Sequence, residues 1–236
     1  MLSRLPGLSV VVPAFNEEAT LESVVRDVLS VAPGLAAESE VIIIDDGSTD
    51  KTPAIADGLA GSDPRVRVVH HERNLGFGGT QKTGFREAKL PFITLIPADG
   101  QFPAGDLQRF LPFAEEADVV LGYRIGRRDS LGRRIQTAVF KMVFRHLLGL
   151  RFKDINWVKL YRRDAVRFID IQSRRIGVDA EVVAKIMRRG GKVKEVEVSY
   201  VPRRAGVASG SQPAVLVKTL LELSRLWWDL KTGKIQ

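Results

Sequence analysis

Short β-branched apolar runs alternate along the first half of the chain with stretches whose apolar residues recur at helical spacing. Leu8–Ala14 (LSVVVPA) is the first such run and reads as a strand buried on both faces of a parallel sheet. Asn16–Leu29 carries charge in its first turn and places Leu21, Val24, Val25 and Val28 at helical spacing, which predicts a helix. Glu40–Ile44 (EVIII) is a second strand, closed by Asp45-Asp46-Gly47-Ser48. Ser48–Ala60 predicts a helix with Ser48 or Thr49 as its N-cap. Val66–Val69 is a third strand, Gly79–Ala88 a helix, and Phe92–Ile96 (FITLI) a fourth strand. This alternation predicts an α/β fold with a Rossmann-like, mostly parallel sheet flanked by helices.

Ligands of such sheets bind beyond the carboxyl ends of the strands. Polar clusters stand at those ends: Asn16-Glu17-Glu18, Asp45-Asp46-Gly47-Ser48, Arg73-Asn74 and Asp99-Gly100-Gln101. Each alone reads equally as a helix cap or a turn, and their recurrence at matching positions is what points to a site. They are rich in carboxylates and amides and poor in phosphate-cradling glycines. There is no P-loop, and the Gly-rich stretch NLGFGGTQ (74–81) lacks dinucleotide spacing. Carboxylates at a nucleotide site can accept from a base or ribose, or hold a divalent cation that bridges phosphates. A nucleotide-sugar or nucleoside triphosphate therefore fits better than a dinucleotide.

Composition narrows the class further. The chain has 236 residues and no Cys, which excludes disulfides, thiolate metal sites and a Cys nucleophile. Three His make a His-rich zinc site a poor fit. No uncharged apolar run approaches the roughly 20 residues of a membrane span, and the N-terminus lacks a secretory signal pattern. The expectation is a cytoplasmic chain without a span. Charge is divided: residues 1–120 hold 10 Lys+Arg against 18 Asp+Glu, and residues 121–236 hold 26 against 10. A basic half beside an acidic half suggests two binding tasks, the basic one directed at phosphates. It contains no recognisable nucleic-acid module, so no nucleic-acid partner is expected.

The strings VVPAFNEE (11–18), EVIIIDDGSTDKT (40–52), NLGFGGTQKTGF (74–85) and ADGQ (98–101) resemble, in order and spacing, the inverting family-2 glycosyltransferases of the glycosyltransferase A fold. GYR (122–124), KDINWVKLYRRDAV (153–166), VDAE (178–181) and VPRRAGVASG (201–210) resemble the polyprenyl-phosphate sugar synthases of the dolichyl-phosphate mannose synthase type. The resemblance covers roughly residues 8–210. It implies one catalytic domain over 1–210, with a nucleotide-sugar half (1–120) and an acceptor half (121–210), followed by an amphipathic helix over 211–236.

The resemblance also implies roles. Pro13, Phe15 and Glu17 would hold the base and ribose of a UDP- or GDP-sugar, with Phe15 open to a second reading as a core aromatic. Asp45 and Asp46 would contact the nucleobase, or one of them would close an Asx-turn at Ser48. Asp99 and Gln101 would be ligands of Mg²⁺ or Mn²⁺, although Pro97 stands where the usual motif has a carboxylate. Asp99, Arg124 and Arg203 are the implied catalytic group. A phosphate-monoester acceptor is already anionic, needs no base, and calls for arginines. Arg124, Arg134 (or Arg133) and Arg203, with Ser209, are the candidates. A hydroxyl acceptor, the alternative, needs a base, for which Asp179 or Glu181 is placed. Pro97 supports a third reading, a catalytically weak binding or scaffold protein.

Two amphipathic stretches bear on the membrane. Residues 133–150 set Arg134, Lys141 and Arg145 on one narrow face beside Ile135, Val139, Met142, Val143 and Leu147. A helix from about Pro213 sets Lys218, Glu222, Arg225 and Asp229 on one face, with Trp227 and Trp228 near its end. Basic residues beside an apolar arc and paired Trp fit peripheral contact with the cytoplasmic membrane face. The alternatives are packing on the protein body and self-association into a homo-oligomer.

Overall fold

A computed structural model of the chain describes residues 4–125, 131–173 and 177–202, with 224, 227, 228, 231 and 232. Among these residues seven strands form one sheet: β1 (Leu5–Ala14), β2 (Ala36–Asp45), β3 (Val66–His70), β4 (Phe92–Leu95), β5 (Val119–Arg124), β6 (Lys159–Arg162) and β7 (Val193–Val198). Their order is β3-β2-β1-β4-β6-β5-β7. The first four strands are parallel, with β1 between β2 and β4. β6 is antiparallel to both β4 and β5, and β7 is parallel to β5.

The apolar runs are buried on both faces, and the two-residue period of a strand divides them between two cores. Val10, Val12 and Ile43 join one core with Leu21, Val25 and Val28 of α1 (Leu21–Leu35), Leu59 of α2 (Thr52–Ser62) and Phe110 of the 3-10 segment Ala104–Phe113. Val11, Ile42 and Ile44 join the other with Phe85 of α3 (Gly76–Glu87), Val166 of α5 (Arg163–Val166) and Val182 of α6 (Val178–Arg188). α4 (Leu131–Leu148) leans on the second core through Val143 and Leu148. Gly84 lets α3 lie close on the sheet, because a Cβ there would stand 2.6 Å from Val11 Cγ1.

Several boundaries differ from the sequence expectation. α1 begins at Leu21, not Asn16, because Asn16 has φ of 54° and residues 15–20 form a loop bonded elsewhere. It also runs on through Pro33 to Leu35. α2 begins at Thr52 and has no side-chain N-cap; Ser48 and Thr49 are spent on the neighbouring loop instead. α3 begins at Gly76, three residues before the expected start. Strands β6 and β7 lie in the basic half and β5 runs into it from Val119, all three beyond the strands that the apolar runs predict.

Candidate functional site

The parallel register brings the polar clusters to one edge. Ala14 of β1 pairs with Asp45 of β2, and Asp45 pairs with His70 of β3. The loops after β1 and β2 are cross-bonded in both directions. Asn16 N–H donates to Ser48 Oγ (3.0 Å), Glu17 N–H to Thr52 Oγ1 (2.8 Å) and Glu18 N–H to Asp50 Oδ2 (3.2 Å). In return Thr49 N–H donates to Asn16 Oδ1 (2.8 Å) and Lys51 N–H to Glu18 Oε2 (3.0 Å). Above this platform Phe15 is exposed and Pro13 half-buried. The Glu17 carboxylate accepts from Thr20 Oγ1 at 3.1 Å. Phe15 is thus not a core aromatic.

Asp45 and Asp46 face inward. Asp45 Oδ1 accepts from Ser48 N–H (3.0 Å), the Asx-turn reading, and Oδ2 meets His70 Nδ1 at 2.8 Å. His70 Nε2 reaches Asp57 at 3.1 Å. The bond to Asp45, reinforced by Asp57, raises the His70 pKa above 6.5. Asp46 accepts from His71 Nδ1 (2.7 Å), Leu75 N–H (2.9 Å) and Gly76 N–H (2.9 Å). It therefore pins the start of α3, and Gly47 (φ 72°) gives the room: a Cβ there would lie 2.8 Å from the Arg73 carbonyl carbon. Both carboxylates are buried and internally bonded, so they brace the loops after β2 and β3. His70 and His71, which do much of this bracing, went unmarked in the sequence reading; the apolar run ending in His-His before a polar cluster was their signal.

Beyond β4, Ala98 N–H donates to Pro13 O (3.2 Å), which ties the 97–101 turn to the end of β1. Asp99 is half-buried, and its Oδ1 accepts from Gln101 N–H at 3.1 Å across Gly100 (φ 68°). Gln101 Nε2 donates to Tyr200 Oη (3.1 Å), and Gln101 O accepts from Val201 N–H (3.0 Å). Tyr200 packs edge-on against Trp157, whose ring carries the Arg124 guanidinium 4.3 Å from its centroid. Arg124 Nε also donates to Asp154 Oδ2 at 2.6 Å. Tyr200 and Trp157 thereby link Gln101 to Arg124. Arg203 and Ser209 lie outside the described residues, as do the side chains of Arg133 and Arg134.

Asp99 and Gln101 supply one carboxylate and one amide oxygen. Both are hard donors suited to Mg²⁺ or Mn²⁺, with diphosphate oxygens and water completing the shell. Among the described residues no group of three or more His, Asp or Glu is placed to hold a metal. The donor set therefore fits a cation shared with substrate, and not an all-protein cage.

Glu181 is not an open carboxylate, whereas Asp179 lines a cavity between α3, the ends of β4 and β6, and α6. Glu181 has no exposed surface; it accepts from Gln172 N–H (2.9 Å), Ser173 N–H (2.7 Å) and Lys185 Nζ (2.7 Å). All of its reach is spent fastening the 170–173 segment to α6, which corrects its candidacy as a base. Asp179 pairs with Lys159 Nζ at 2.8 Å, itself bonded to Trp157 O at 2.7 Å. Burial pushes the Asp179 carboxyl up and the Lys159 ammonium down. A base already ion-paired with a buried lysine is poorly placed to collect a proton from an incoming hydroxyl.

On α4, Val139 and Met142 are exposed beside exposed Lys141 and Arg145. The expected helix from Pro213 lies mostly outside the described residues; at its end Lys231 Nζ stands 4.9 Å over Trp227, and Trp228 is exposed. No helix among the described residues is long and apolar enough to cross a membrane.

Comparison with known proteins agrees with this architecture. The chain is 30% identical over 240 residues to an undecaprenyl-phosphate mannosyltransferase of Micrococcus luteus, covering 94% of this chain and 96% of that one. It is 27% identical over 236 residues to an undecaprenyl-phosphate 4-deoxy-4-formamido-L-arabinose transferase of Pectobacterium carotovorum, covering 98% of this chain and 68% of the relative. Glucosyl-3-phosphoglycerate synthase of Mycobacterium tuberculosis, solved with Mn²⁺, UDP-glucose and phosphoglyceric acid, shares the fold: TM-score 0.69 at 22% identity, over 92% of this chain and 79% of that one. Residues 9–172 match Glycosyl transferase family 2, and the chain belongs to that family.

Proposed function

We propose that the chain transfers a sugar from a UDP- or GDP-sugar to a polyprenyl phosphate, with inversion, at the cytoplasmic face of a membrane. The observation that carries this reading is the near full-length likeness to an undecaprenyl-phosphate mannosyltransferase. The site geometry supports it. Pro13, Phe15 and Glu17, on the platform held up by Asp45 and Asp46, take the nucleoside. Asp99 and Gln101 would hold a divalent cation against the diphosphate, and such a cation supplies charge neutralisation for the leaving group.

The acceptor phosphate oxygen attacks the anomeric carbon from the face opposite the diphosphate. The new C–O bond forms as the bond to the diphosphate breaks, and no proton has to be removed. Burial of Asp179 and Glu181 in ion pairs is in keeping with a reaction that needs no base. Arg124 is braced by Asp154 and Trp157, so its outer nitrogens can meet a phosphate in a fixed orientation. Arg134, Arg203 and Ser209 complete the acceptor group in this reading. The exposed Val139, Lys141, Met142 and Arg145 of α4 suit an anionic lipid surface near the acceptor.

The test is a transfer assay with Mg²⁺ or Mn²⁺ and UDP- and GDP-sugars, offering a short polyprenyl phosphate or the matching polyprenol. Product with the phosphate alone is expected. Product with the polyprenol alone would overturn the acceptor assignment.

A further inference from the structure

The stretch that follows β4 is fastened to the end of β7 at three points. Ser199 N–H donates to Asp106 Oδ2, Gln101 Nε2 to Tyr200 Oη (3.1 Å) and Val201 N–H to Gln101 O (3.0 Å). The Tyr200 ring meets the Trp157 indole edge-on, with centroids 5.9 Å apart, and Phe102 meets the same indole at 6.4 Å. The Arg124 guanidinium lies 4.3 Å from the Trp157 centroid and 6.0 Å from that of Tyr200. Tyr200 therefore reaches two sides of the site, with its hydroxyl on Gln101 and its ring among the aromatics that carry Arg124.

We propose that Tyr200 is a positioning residue for both binding groups: its hydroxyl aims the Gln101 oxygen at a divalent cation, and its ring seats Trp157 under Arg124. The proposal rests on the glycosyl-transfer reading above and adds a residue that acts through others. An amide has one oxygen and one NH₂, and only the oxygen serves a hard cation. An acceptor held against the NH₂ decides which end of the amide is left for the cation. Tyr200 Oη is that acceptor, and no bond to Gln101 Oε1 is made among the described residues. A glutamine side chain left loose would lose rotamer freedom on binding a cation, and one already held loses less. Pro97 sharpens the point. It stands where the related motif has a first carboxylate, so the turn offers Asp99 and this amide alone, and the aim of the amide counts for more. On the other side, Arg124 is fixed through Nε by Asp154 and through its face by Trp157. The Tyr200 ring closes that stack against the indole, so its loss frees the surface on which Arg124 rests.

The experiment measures Mn²⁺ affinity by electron paramagnetic resonance with UDP or GDP present, and KM for a short polyprenyl phosphate at saturating Mn²⁺. It compares the intact chain with Tyr200→Phe, Tyr200→Leu, Gln101→Leu and the double variant Gln101→Leu/Tyr200→Phe. Tyr200→Phe keeps the ring and removes only the hydroxyl. It should weaken Mn²⁺ binding by about 5-fold and leave the acceptor KM within about 2-fold of wild type. Tyr200→Leu removes the ring as well and should also raise the acceptor KM by about 5-fold. In the Gln101→Leu background, Tyr200→Phe should cost no further Mn²⁺ affinity, because the hydroxyl acts through the amide. Unchanged Mn²⁺ affinity in Tyr200→Phe, or an equal loss in both backgrounds, overturns the cation half of the proposal and leaves the transferase reading standing. A wild-type acceptor KM in Tyr200→Leu overturns the arginine half. A Tm for Tyr200→Phe lower than wild type by more than about 2 °C would replace positioning by a general loss of structure. No transfer from any donor by the wild-type protein would sink the transferase reading itself, and the proposal with it.

Discussion

Removing the Asp46 carboxylate separates a bracing role from direct contact with a nucleobase. In Asp46→Ala three bonds are lost: His71 Nδ1 and Leu75 N–H are left without their acceptor, and Gly76 N–H keeps only Asn74 Oδ1 (3.0 Å). Hydrogen bonds to a carboxylate contribute about 1.5–3 kcal/mol each, which sets a ceiling of roughly 5–9 kcal/mol for three. Neighbouring bonds are not additive, and Leu75 is 40% exposed, so water recovers part of the loss. A cost of about 3 kcal/mol is expected. For a chain of this size that lowers Tm by about 6–12 °C. Asp46→Asn keeps the shape but turns an NH₂ toward one of these donors, so it should fall in the same direction. Thermal unfolding of the ligand-free protein, followed by circular dichroism, reads both variants. Tm values within 2 °C of wild type, combined with lost nucleoside-diphosphate binding, would refute the brace and restore Asp46 as a base contact.

Asp99→Ala should lower transfer by about 100-fold or more while leaving Tm within 2 °C; near-full activity in the transfer assay would remove Asp99 from the diphosphate site. Glu181→Leu leaves two amides without an acceptor and the buried Lys185 ammonium with only the Asp170 carbonyl, and should cost about 3–5 kcal/mol in urea unfolding. Adding Lys185→Met should recover much of that loss, and equal instability of the single and double variants would contradict the pairing. His70 has a raised pKa, so its contribution to stability is fully present below the unfolded value near 6.5 and is lost as pH rises through the folded value. Wild type should therefore lose Tm relative to His70→Gln between about pH 6 and 8; parallel pH profiles for the two proteins would argue against the Asp45–His70–Asp57 bridge.

The sequence made the parallel half of the fold readable because its strands are buried on both faces and show as unbroken apolar runs. Helix starts were less readable. Asn16, Ser48 and Thr49 look like caps, yet their bonds run to a loop more than 30 residues away, and no local pattern records that. β6 is four residues long and contains the buried Lys159, so neither length nor hydropathy marks it. The same holds for the site. Asp99 and Gln101 stand in a motif, whereas Tyr200 and Trp157 join Gln101 to Arg124 only once the end of β7 and the approach to β6 meet. Asp45, Asp46 and Glu181 show the converse: their motifs are conspicuous, and their carboxylates are taken up inside the protein.

β6 enters from the basic half, antiparallel between β4 and β5, and joins the two charge-divided halves into one hydrogen-bonded sheet. A fragment ending near residue 120 would leave β4 with an open edge of apolar residues, the kind of surface that recruits other chains. Severed halves should therefore aggregate, and complementation between co-expressed fragments should work only when the second fragment carries Lys159–Arg162 to cover that edge. During synthesis the acidic half has to wait, guarded or partly folded, until roughly 160 residues of chain have emerged.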